Sequence, residues 1–64
     1  MDEQTVNTVL NELRSGELKE YHVSKDQFLT FRKILVDRVD FKHFRGIAQH
    51  GGSVIFRYLE NPRS

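Results

Sequence analysis

No cysteine occurs among the 64 residues, and the chain has no tryptophan and a single proline. The first absence excludes a disulfide framework, a thiolate metal site and a thiol nucleophile. No run approaches the roughly 18 apolar residues of a membrane-spanning helix. The opening MDEQTVNTVL lacks the basic and apolar regions of a secretory leader. These absences set the expectation of a soluble, cytoplasmic protein that makes no membrane contact.

Signals for chemistry are equally sparse. His22, His43 and His50 show neither helical i, i+4 spacing nor an HExxH or Cys/His pattern, so no metal site is expected. Gly46, Gly51 and Gly52 form no GxGxxG and no P-loop. Ser15, Ser24 and Ser53 have structural roles to fill as helix end, N-cap and turn neighbour. A domain this small seldom encloses the roughly 300 Å³ that ligand sites need. The expectation is a non-enzymatic protein without a cofactor.

The length allows one domain, expected over residues 1–60, with 61–64 as a frayed tail. A chain of this size buries only about 60% of its unfolded surface, so homodimerisation would add core to a domain short of it. The net charge of +1 hides an asymmetry: residues 1–23 sum to −3, 24–40 to +1 and 41–64 to +3. A basic end points to an anionic partner, although +3 is small beside the clustered charge of nucleic-acid binders.

Periodicity gives the elements. Val6, Val9, Leu10 and Leu13 line one face of a helix over Asp2–Ser15, closed by Gly16. Glu17–Val23 reads as a short strand. Ser24–Val39 reads as the second helix. Ser24 and Gln27 match a capping box, and Val23 and Phe28 a hydrophobic staple. Phe28, Phe31, Leu35 and Val39 fall on its apolar stripe, with Arg32, Lys33, Asp37 and Arg38 towards solvent. The last third, Phe41–Glu60, reads as a β-hairpin about Gly51-Gly52. The expected fold is a small α+β domain in the order helix-strand-helix-strand-strand, with an antiparallel sheet and both helices on one face.

A two-residue turn at Gly51-Gly52 pairs Ala48 with Ile55, Ile47 with Phe56, Arg45 with Tyr58 and His43 with Glu60. A three-residue loop would instead set Gly46 opposite Tyr58 and Ala48 opposite Phe56. In the first register both hairpin faces carry apolar side chains: Phe44, Ala48, Ile55 and Leu59 on one, Ile47, Val54, Phe56 and Tyr58 on the other. Apolar surface should then remain for a protein partner or a second copy. The order helix, strand, helix, hairpin resembles a winged-helix domain in part. That family needs a helix–turn–helix before its wing, whereas Ser24–Val39 is one uninterrupted helix, and no motif carries the resemblance.

Two functions compete on these residues. The first is a protein-binding or adaptor domain, acting through the C-terminal hairpin or as a homodimer. The second is weak binding of RNA or single-stranded DNA, since Phe41, Lys42, His43, Phe44 and Arg45 interleave aromatic and basic side chains, with His50 and Arg57 extending that surface and Tyr58 on the return strand. The first leads, because a chain of 64 residues needs its aromatics for folding.

Overall fold

The computed structural model describes residues 2–62, so the last two residues of the expected tail lie outside it. Helix α1 (Glu3–Ser15) is followed by strand β1 (Tyr21–Val23), helix α2 (Lys25–Val36), a 3₁₀ turn (Phe41–His43), and the hairpin strands β2 (Phe44–Ala48) and β3 (Val54–Tyr58). The sheet is antiparallel with order β1-β3-β2, so β3 is central and β1 and β2 are its two edges. This is the expected α+β domain.

Helix α1 forms as its sequence dictates. Asp2 accepts a 2.8 Å bond from the Thr5 amide as N-cap. That bond also holds the Asp2 carboxyl below its ordinary pKa. Gly16 takes the left-handed conformation at the other end, φ 90°. Val6, Val9, Leu10 and Leu13 are all buried. They meet Phe31 and Leu35 of α2, Val23, Phe44 and Phe56 in one core. Four rings pack in series at it: Phe56 lies 4.8 Å from Phe31, tilted, and 6.3 Å from Phe28, stacked, and Tyr21 stacks 6.1 Å from Phe31.

Helix α2 departs from expectation at both ends. Ser24 is the N-cap residue, but its side chain makes no capping bond. The Gln27 amide bonds the Ser24 backbone carbonyl instead, so no capping box forms. The helix stops at Val36 rather than Val39, and Val39 is fully exposed. The reason lies in Arg38, which is not on the solvent side. Its guanidinium bonds Asn7 and Asn11 of α1, each at 2.8 Å, and grips Asp40 with two bonds of 2.9 and 3.1 Å. Leaving the helix lets the chain bring Arg38 and Asp40 to α1.

The hairpin register differs from both expected ones. Phe44 pairs with Tyr58, Arg45 with Arg57, Gly46 with Phe56, Ile47 with Ile55 and Ala48 with Val54. The loop has three residues, His50–Gly52, closed by a 2.9 Å bond from the Gln49 amide to the Ser53 carbonyl. Gly51 and Gly52 both hold positive φ there, at 84° and 92°. A slip of one residue turns every side chain of one strand to the other face. Phe44, Gly46 and Ala48 therefore share the helix-covered face with Val54, Phe56 and Tyr58, while Arg45, Ile47, Ile55 and Arg57 share the outer face. The hairpin is not broadly apolar on both sides: outside, two isoleucines stand among cations.

Gly46 has a steric role in this register. A Cβ there would stand 3.1 Å from Val54 and 3.2 Å from the Phe56 ring, which leans across the glycine.

Candidate functional site

The register scatters the hairpin residues that the sequence singles out. Phe44 is buried in the core, 1% exposed, so its face is not available for stacking on a base. Phe41 sits half-buried in the 3₁₀ turn, not on a strand. His43 does not reach Glu60: its Nδ1 bonds the Leu59 carbonyl at 2.8 Å, and its ring stacks 5.2 Å from that of Tyr58. Tyr58 in turn meets Phe44 edge-on at 5.2 Å. Lys42 is exposed beside this cluster, and His50 is exposed in the turn.

Of the arginines and lysine among these residues, Arg45 and Arg57 come together, as cross-strand neighbours on the outer face. Like charges placed so are unfavourable. Arg57 is partly neutralised by Glu20, at 2.9 Å, which also bonds His22 at 2.9 Å. The His22 bond first and the Arg57 bond second hold the Glu20 carboxyl below its ordinary pKa. No group of three or more potential metal ligands gathers among the described residues. Among them, too, no helix is long and apolar enough to cross a membrane.

A different site emerges on the helix side of the hairpin. Between α2 and β2 lies an open cleft of about 370 Å³, lined mainly by apolar residues. Phe28, Arg32 and Val36 border it from α2, Phe41 closes one end, and Phe44, Gly46 and Ala48 form its floor along β2. Leu29 and Val36, at i−3 and i+4 from Arg32, continue that side of α2 and are 75% and 40% exposed. At the other end the aliphatic stem of Lys25 lies within 3 Å of where a Gly52 Cβ would stand, tying the turn to the start of α2.

The floor of this cleft is also the free edge of the sheet. In an antiparallel ladder alternate residues exchange bonds with the partner strand. The Leu59 amide bonds His43, and the Gln49 amide bonds Ser53, which fixes the odd-numbered residues as those turned to β3. Gly46 and Ala48 therefore direct their N–H and C=O groups away from β3, to the open side, as Phe44 does its C=O, whereas the Phe44 N–H donates to the Phe41 carbonyl of the 3₁₀ turn. Unpaired strand edges are templates for another strand.

Sequence reading missed Leu29, Arg32, Gly46 and Ala48 as site residues. A glycine inside a strand run was the available signal, since it marks a close backbone approach. Nothing in the sequence sets Leu29 and Val36 apart from the other apolar residues of the helix, because the strand order that makes β2 an edge is not legible there.

A family model described as YkzS-like protein matches residues 3–57, most of the chain, and the chain belongs to that family. No curated protein matches it, and no solved structure does.

Proposed function

We propose that this member of the YkzS-like family is a non-enzymatic protein-binding domain, and that the hairpin does the binding through the outer edge of β2. The observation that carries this reading is the coincidence of two features on one flank. The edge of β2 offers unpaired backbone groups, and the cleft beside it is walled by apolar side chains that the domain's own core leaves uncovered. A strand edge supplies affinity through main-chain bonds, and adjoining pockets supply selectivity through alternate side chains.

Nucleic-acid binding is the second reading, supported by Arg45 opposite Arg57 on the exposed sheet face. Burial of Phe44 weakens it, because phosphate contact is left without a stacking platform from that residue.

Immobilised full-length chain separates the two when exposed to extract as wild type, Ala48→Pro, and the Arg45→Glu, Arg57→Glu pair. The protein-binding reading expects a bound protein that is lost with Ala48→Pro. Nucleic acid retained by the wild type, released by rising salt and lost with the charge reversal would instead establish the second reading.

A further inference from the structure

We infer that the edge of β2 and its cleft take an extended segment of another protein, with apolar side chains at alternate positions and carboxylates between them. This rests on the protein-binding reading above and names the chemistry of the partner.

Backbone geometry selects an extended chain. Gly46 and Ala48, with the Phe44 carbonyl, present their donors and acceptors along one line, at the spacing only another strand matches. The side chains of an added strand alternate between the two sheet faces. On the helix side they lie next to Gly46 and Ala48, which are too small to occupy the space above them. That space is the cleft, about 370 Å³, with Phe28, Val36 and Phe41 as its walls. Apolar side chains two residues apart fill it. On the outer face the intervening side chains lie beside Arg45. Neither Arg45 nor Arg32, at the cleft border, has an ion-pair partner among the described residues. Carboxylates at the intervening positions satisfy Arg45.

A second copy of this chain fits the same edge less well. Its own β2 would bring Phe44, Gly46 and Ala48 to the helix side. The first is already buried in its own protomer and the other two are small, so the cleft would stay unfilled.

The test is selection from a displayed library of random octapeptides on the immobilised full chain, followed by titration of the selected peptides and light scattering of the protein alone. The expected result is enrichment of alternating apolar and acidic residues. Affinity should fall at least tenfold for Ala48→Pro, whose lost N–H faces the open edge and not β3. It should fall similarly for Arg45→Glu, an exposed change that guards against a proline-specific folding defect. Selected peptides without that alternation, yet lost with Ala48→Pro, would overturn the inference and leave the protein-binding reading standing. So would self-association abolished by Ala48→Pro without any enriched peptide. A monomer that enriches nothing overturns both.

Discussion

The α1 flank and the α2–β2 flank are built from similar amounts of apolar sequence and end in opposite states. On the first, Val6, Val9, Leu10 and Leu13 are all buried, and the rim is sealed by Arg38 bridging Asn7, Asn11 and Asp40. On the second, Phe31 and Leu35 are buried, while Leu29 and Val36 remain exposed, Val36 at a cleft with an unpaired strand edge as its floor. The difference teaches where the domain's stability sits and where it has surface to spare. The two edges of the sheet repeat the contrast. β1 has three residues and is flanked by the Glu20–His22 and Glu20–Arg57 contacts, whereas β2 has five and an uncovered outer edge.

The sharpest way to break this comparison is to truncate a leucine on each flank. Leu10→Ala should cost about 3 kcal/mol by urea unfolding, as buried leucines do, and Leu29→Ala under about 0.5 kcal/mol. Comparable losses would show that the α2 flank is as closed as the α1 flank.

Next in size is the polar seal. Arg38→Ala removes four hydrogen bonds and leaves Asp40, 8% exposed, facing only the more distant Arg14 at 3.7 Å. A loss of about 2 kcal/mol is expected from charge-assisted bonds of this kind. Arg32→Ala, on the open flank, should change stability by less than about 0.5 kcal/mol.

Acid should act on the same seal. The Arg38 bonds hold the Asp40 carboxyl below its ordinary pKa, with Arg14 a smaller contributor. A group depressed in the folded state stabilises above its unfolded pKa and loses that contribution as pH falls through the folded one. Stability should therefore decline below about pH 4, where unfolded carboxyls begin to take up protons. Asp40→Asn should be less stable at neutral pH and show a shallower decline, measured by urea midpoints between about pH 5 and 2.

The smallest of these effects concerns the floor of the cleft. Gly46→Ala puts a Cβ within 3.1 Å of Val54 and 3.2 Å of Phe56, and both are side-chain atoms able to shift. A loss of about 1 kcal/mol is expected, since small additions to a packed site force such shifts. Affinity for a bound strand should fall as well, because the floor rises. Unchanged stability would mean that Phe56 does not lean over Gly46 in solution.

Much of the fold was legible in the residues, because helix periodicity, the Gly16 signal and the short run that forms β1 are local. The end of α2 was not, because Arg38 leaves the helix for Asn7 and Asn11, partners about thirty residues away. The register was not, because two glycines are compatible with several loops and a single slip inverts the faces. That inversion moved the candidate site. An aromatic, basic strand became a buried Phe44 and a divided set of cations, and the exposed apolar surface appeared at Leu29 and Val36 instead.

Amide hydrogen exchange along β2 of the full chain, resolved residue by residue, tests the open edge most directly. The account predicts protected amides at Arg45 and Ile47, bonded to β3, and fast exchange at Gly46 and Ala48. Equal protection at all four would mean that the edge is already covered, and fast exchange at Arg45 and Ile47 alone would mean that the register is wrong.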